Sequence, residues 1–184
     1  TAKLQNAGFN CIAAQVVVLD KNWKQKDQLI NEVKKVIRSQ QTRYFYYPGS
    51  KERISEINKS SNVEILSQDS CEVPYSASIT DSDDEFYFHN EVWGGTIIFK
   101  ILESDSTKDY IKQATIFCND ELWGNLGCTV LIKPKTERAY RSEFNEMIDN
   151  LKYGTVAINE WCALGFAIPS LPWGGYPGNK DSDI

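Results

Sequence analysis

Cys11 lies in the segment Asn6-Ala7-Gly8-Phe9-Asn10-Cys11-Ile12-Ala13, where a small, polar, glycine-containing stretch leads into a thiol and the hydrophobic run starts only afterwards. Such a stretch presents a side chain at a bend, where backbone N–H groups can face the same space. A thiolate there is a strong nucleophile, more so if a helix N-terminus lowers its pKa. The competing reading is a buried cysteine packed as a small hydrophobe. Metal chemistry finds little support, because His89 has no histidine partner and no series of ligands around it. The five cysteines, at 11, 71, 118, 128 and 162, show neither paired zinc spacing nor CxxC, and read as free thiols in a reducing compartment.

The elements that must hold Cys11 are strand and helix in alternation. Residues 15–20, Gln-Val-Val-Val-Leu-Asp, read as a short buried strand. Residues 24–38 carry Leu29, Ile30, Val33, Val36 and Ile37 at helical spacing, with Lys34, Lys35 and Arg38 at the end that suits the helix dipole. Arg43-Tyr44-Phe45-Tyr46-Tyr47 runs into a Pro48-Gly49 turn, and residues 51–59 predict a short helix. The mixture of aromatic and basic residues there suits packing beneath a surface loop better than a base-stacking surface. Strands are predicted near 62–66 and 85–89, separated by the acidic segment 80–85. Thr96 to Leu102 is a nearly continuous apolar strand, of the kind covered on both faces. Ser104 to Thr107 supply caps for a helix reaching about Phe117. A strand follows at 126–132, then a helix capped by Thr136 that buries Tyr140, Phe144, Met147, Ile148 and Leu151. Gly154 ends it, and 155–159 form the next strand. Residues 169–179 are loop-like, and Lys180 to Ile184 is too short and polar to close a core. The alternation predicts an α/β fold with a mostly parallel or mixed sheet flanked by helices.

Composition bounds the function. The 184 residues suffice for one domain with a sizeable core, and 41% are hydrophobic and 12% aromatic. A net charge of -5 disfavours nucleic acid as a partner. No apolar run reaches the roughly 18 residues that cross a membrane, and Thr1-Ala2-Lys3 runs into a polar segment rather than a signal sequence. Cytoplasmic placement follows from the thiols and the lack of an export signal. Thr1 in place of methionine reads as the interior of a longer gene product.

Five segments, in order, give the chain a resemblance to the aldehyde dehydrogenase superfamily. Asn6 to Ala13 resembles the nucleophile segment Asn-Gly/Ala-Gly-Gln-x-Cys-x-Ala, with Phe9 where glutamine is usual. Glu91-Val92-Trp93-Gly94-Gly95 resembles Glu-x-Phe-Gly-Pro, with Gly95 in place of the proline. Asn119-Asp120-Glu121-Leu122-Trp123-Gly124-Asn125-Leu126-Gly127 is similar to Asn-Asp-x-x-Tyr-Gly-Leu-x-x. Gly154-Thr155-Val156-Ala157-Ile158-Asn159 is similar to Gly-x-Val-x-Ile-Asn, and Trp173-Gly174-Gly175-Tyr176-Pro177-Gly178 to Phe-Gly-Gly-x-x-x-Ser-Gly. Residues 20–90 add only a compatible length and the strand–helix start.

The resemblance implies an aldehyde dehydrogenase catalytic domain over 1–184, truncated at both ends. It implies a small-molecule aldehyde as substrate and NAD or NADP as cofactor of the full-length protein. Cys11 would be the nucleophile, with its own backbone N–H as one oxyanion donor. Glu91 would receive the nicotinamide ribose hydroxyls, and Trp93 would bound the ribose and ring. Without the resemblance, Glu91 reads as a surface acid beside a strand. Asn159 would order the strand end and nearby loops, or equally satisfy local turn backbone. Trp161, Phe166 and Trp173 are candidates for an apolar aldehyde pocket, although core or lid packing explains aromatic residues as well. The family's general base, its oxyanion asparagine and its cofactor-binding domain all precede the nucleophile, so that missing domain is an expected partner. The chain also has no GxGxxG and no Walker loop. The chain alone is therefore expected to bind no cofactor tightly and to be inactive in oxidation, while the full-length protein is compatible with a homo-oligomer. Two alternatives stand beside this: a non-catalytic interaction domain derived from an enzyme, marked by a buried, unreactive Cys11, and a weak thiol-dependent esterase. On the dehydrogenase reading, Cys11, Glu91 and Trp93 should line one face at the carboxyl edge of the sheet.

Overall fold

The computed structural model describes residues 2–40, 45–57, 59, 62–68 and 74–178. Cys71, Arg43, Tyr44, Asn179 and the tail 180–184, all discussed above, lie outside the described residues. The chain forms two compact units, 1–103 and 104–184. Together they give the α/β architecture that the alternation predicts, with parallel pairing in both sheets and helices flanking them.

The first unit holds β1 (Val16–Asp20), α1 (Lys26–Arg38), α2 (Ser50–Ile57), β2 (Val63–Gln68), β3 (Pro74–Thr80), α3 (Phe86–His89) and β4 (Gly95–Leu102). Its sheet has the order β1-β4-β3-β2. β4 is central and parallel to β1 and β3, while β2 is antiparallel to β3 with a register irregularity between Ile65 and Gln68. As the central strand, β4 is covered over Gly95–Phe99, where Ile98 and Phe99 are both 0% exposed, and it opens to partial exposure from Lys100 onward. α1 lays Ile30 and Ile37 into the core and is tied to β2 by Lys34 and Arg38, both paired with Glu64.

One expectation fails here, and one strand was not foreseen. Residues 86–89 are not a strand but a short helix. Asp84 accepts a hydrogen bond from the Phe86 N–H at 3.0 Å through its side chain, and from the Tyr87 N–H at 3.1 Å through its backbone carbonyl. The turn this closes buries the adjacent rings of Tyr87 and Phe88, which alternation would send to opposite faces. The strand that does lie in this stretch is β3, where Ser76-Ala77-Ser78 gives no hydrophobic signal.

The second unit holds α4 (Thr107–Ile116), a wide turn at Phe117–Glu121, β5 (Gly127–Val130), α5 (Pro134–Ala139), α6 (Arg141–Asn150), β6 (Thr155–Ile158) and a turn of tight helix at Cys162–Ala167. β5 and β6 pair in parallel. Ser106 caps α4 by accepting from the Asp109 N–H at 3.2 Å. The single helix expected from Thr136 is two. Pro134 starts α5 at a position where its missing N–H costs nothing, and Tyr140 (φ -124, ψ 36) leaves helical geometry before α6. Ile111 of α4 and Phe144, Met147 and Leu151 form the core under β5 and β6. No helix among the described residues is long and apolar enough to cross a membrane.

Candidate active site

The segment before Cys11 is anchored from below. Leu4, Ala7 and Phe9 are buried in the core of the first unit, against Leu19, Ile97 and Phe99. Between these anchors the backbone is left-handed at three successive residues, Asn6 (φ 53), Ala7 (φ 58) and Gly8 (φ 81). Asn6 tolerates that region and glycine prefers it, whereas Ala7 is strained there. The Phe9 N–H donates to the Asn6 carbonyl at 3.0 Å, and the Ala13 N–H to the Asn10 carbonyl at 2.9 Å, closing a turn around Cys11. Cys11 is exposed on that turn. The next element in the chain is β1, so the turn leads into a strand rather than a helix.

The Cys11 segment lies directly on the segment that carries Glu91 and Trp93. A Cβ on Gly8 would sit 2.1 Å from the Gly94 carbonyl oxygen, so the two backbones meet where no side chain fits. Two polar side chains reinforce the contact. The Val92 N–H donates to Gln15 Oε1 at 2.8 Å, while Gln15 Nε2 donates to the carbonyls of Asn90 at 2.8 Å and Tyr87 at 3.1 Å. Lys3, only 5% exposed, places Nζ 3.4 Å from the Val92 carbonyl. Val92 itself is buried, and Glu91 beside it is exposed.

Electrostatics couple the two ends of this arrangement. Burial brings the Lys3 amine down to about 8, against the opposing pull of the Glu91 charge. Glu91 keeps solvent-exposed surface, yet its carboxyl end is crowded enough that desolvation raises its pKa, with the Lys3 ammonium acting in the other direction.

Aromatic rings wall the same region. Trp93 is half-buried and stacked on Tyr47, with ring centres 5.4 Å apart and planes 17° from parallel. Phe9 meets Tyr46 edge-on at 4.7 Å and Tyr47 at 5.2 Å. Asn6 Nδ2 donates to the Tyr46 hydroxyl oxygen at 2.7 Å, joining the wall to the Cys11 segment. Cys11 precedes β1 and Glu91 precedes β4, and these strands are parallel neighbours. The segments therefore meet at the amino edge of the sheet, not at the carboxyl edge expected above, because each motif enters its strand rather than leaving it.

The remaining candidates belong to the second unit. Asn159 (φ 58) follows β6, and its Oδ1 accepts from the Ile132 N–H at 2.8 Å while its own N–H donates to the Val130 carbonyl at 2.8 Å. It joins the exits of β5 and β6. Phe166 is 72% exposed and packs edge-on against Trp173 with centres 5.4 Å apart. Trp161 is half-buried at the start of the 162–167 turn. The Trp173–Tyr176 loop is held by Asn125, whose carbonyl accepts from the Gly154 N–H at 2.9 Å and the Tyr176 N–H at 3.2 Å.

Lys3, Gln15, Tyr46 and Tyr47 are the residues that sequence reasoning leaves out of the site. Tyr46 and Tyr47 are visible as an aromatic run without an address. Gln15 is the polar residue leading a β-branched run, which is its signal in retrospect. Lys3 gives none.

No protein-family model matches the chain, and no curated protein sequence matches it. Solved structures do. An aldehyde dehydrogenase from Bacillus cereus (an E194S mutant) is 20% identical, with a TM-score of 0.69 over 95% of this chain and 36% of its own. A salicylaldehyde dehydrogenase from Pseudomonas putida G7, complexed with salicylaldehyde, is 16% identical, with a TM-score of 0.71 over 95% of this chain and 37% of its own. A succinic semialdehyde dehydrogenase from Streptococcus pyogenes, in complex with NADP+, is 18% identical, with a TM-score of 0.70 over 95% of this chain and 38% of its own. The fold is that of part of an aldehyde dehydrogenase, corresponding to its catalytic domain. The chain spans a little over a third of the length of these three structures. At these identities the likeness is one of fold.

Proposed function

We propose that this chain is the catalytic domain of an NAD(P)-dependent aldehyde dehydrogenase, with Cys11 as nucleophile and Glu91 and Trp93 as its share of the cofactor site. The observation that supports the reading most is the close approach of Gly8 to Gly94, which joins the thiol turn to the Glu91 segment at one edge of the sheet. The Cys11 thiolate adds to the aldehyde carbon, and the carbonyl π electrons pass to the oxygen, giving a thiohemiacetal. The Cys11 backbone N–H is one donor to that oxygen. A bound nicotinamide supplies the acceptor for the hydride that the adduct must lose. Cys11 then holds the acyl group as a thioester, which water cleaves to acid and free thiol, or which coenzyme A accepts. Glu91 suits a ribose diol, since an ionised, exposed carboxylate accepts hydrogen bonds from both hydroxyls. Trp93 offers a ring edge beside it, its other side being stacked on Tyr47.

Oxidation requires more than this chain carries. A general base, a second oxyanion donor and the rest of the cofactor cradle belong to a further domain of the parent protein, and each missing group costs orders of magnitude in rate. The test is NAD(P)H formation by the full-length gene product with an aldehyde panel, beside its Cys11→Ser variant and the 184-residue chain. Activity in the full-length protein alone, abolished by Cys11→Ser, is the expected result. A folded full-length protein with no activity toward any aldehyde or either cofactor would overturn the reading.

A further inference from the structure

We propose that Gln15 is a positioning residue for the cofactor carboxylate: its side-chain amide locks the backbone of residues 87–92 and thereby fixes Glu91 relative to the Cys11 turn. The inference rests on the reading of Glu91 as the ribose-binding group.

The geometry is specific. Gln15 is held at both levels, its backbone carbonyl accepting from the Ile98 N–H of β4 at 2.9 Å while its side chain turns to the preceding loop. One acceptor and two donors of the amide are met by one N–H and two carbonyls, those of Val92, Asn90 and Tyr87. Only one orientation of the amide satisfies all three, because flipping it would set its oxygen against two carbonyls and its NH2 against an N–H. Lys3 takes the other polar group of the Val92 backbone, its carbonyl. The peptide groups flanking Glu91 are thus both fixed. Glu91 is left exposed on a backbone that cannot swing, and an ordered carboxylate gains more from a diol because less freedom is lost on binding.

Gln15 reaches none of the reacting groups in this scheme, so its loss should appear in cofactor affinity more than in turnover. In the full-length protein, Gln15→Met keeps the volume and removes the three hydrogen bonds. The cofactor KM should rise roughly tenfold or more, with kcat at saturating cofactor falling by no more than about threefold. Gln15→Glu keeps the acceptor for Val92 and loses both donors, and provides a second variant if the first folds poorly. Hydrogen exchange read by mass spectrometry supplies the readout independent of activity: peptides covering 87–94 should exchange at least about tenfold faster in either variant, with β1 and β4 unchanged. Glu91→Gln is measured beside them. If Glu91→Gln raises the cofactor KM and neither Gln15 variant does, the positioning role is overturned. Unchanged exchange in 87–94 overturns it as well. If Glu91→Gln leaves the cofactor KM unchanged, the ribose reading itself fails and the inference falls with it, whatever the exchange data show.

Discussion

Thiol reactivity in this chain is a matter of address. Cys11 stands exposed on a turn, whereas Cys118 and Cys128 are partly buried against the core of the second unit, where burial pushes their thiols up to about 12 and about 11. Cys162 is buried. Since the thiolate is the reacting form, iodoacetamide at pH 7.5 should modify Cys11 at least tenfold faster than Cys118, Cys128 or Cys162, resolved by peptide mass. Comparable rates at all four would remove the distinction. Lys3 offers a second measurement. Its amine titrates near 8 in the folded chain and near 10.5 when exposed, so the unfolded state binds more protons between those values and stability rises with pH across that window. Below pH 8 the buried charge is carried in full. Lys3→Met should therefore be more stable than the parent at pH 7, by on the order of 2 kcal/mol, and the difference should shrink toward pH 10.5 in urea titrations. An advantage that does not depend on pH would show that packing, not charge, sets the effect. The Cys11 segment was readable because polarity and glycine are local signals. Lys3 and Gln15 were not, because what defines them is a partner 77 or more residues away.

Among elements, the ion pair that docks α1 on β2 can be isolated. Glu64 receives Lys34 Nζ at 2.7 Å and pairs with Arg38, and its carboxyl lies below the usual range chiefly through the Lys34 hydrogen bond. A lowered carboxylate pKa contributes stability above the unfolded value, and that stability is lost as pH falls through the folded one. Glu64→Gln should cost about 0.5–1 kcal/mol at pH 7, the modest value of a half-exposed pair, and nothing at pH 2.5. A cost equal at both values would assign the effect to shape. The same scale explains what pattern reading missed. β1, α1 and β4 announce themselves because burial imposes their periodicity. β3 is hidden by Ser76-Ala77-Ser78, and α3 mimics a strand because three aromatic residues sit at a turn that Asp84 closes. The division of α5 from α6 rests on one residue, Tyr140, whose conformation no propensity scale marks.

For the whole chain, the proposed division of labour predicts an asymmetry between binding and chemistry. On that proposal Glu91 and Trp93 supply only a fringe of a dinucleotide site, so NAD+ added to the 184-residue chain should leave its tryptophan fluorescence unsaturated into the millimolar range. Saturation at micromolar levels would show that the first unit carries more of the cofactor site than proposed. The amino-edge meeting of the Cys11 and Glu91 segments has a consequence for biosynthesis as well. Gln15 and Val92 are 77 residues apart, so at about 5–20 residues per second a ribosome needs roughly 4 to 15 s between making the thiol turn and making the strap that seats it. During that interval the Cys11 turn lacks the backbone contact with Gly94 that seats it, so the turn settles only when β4 slides in beside β1.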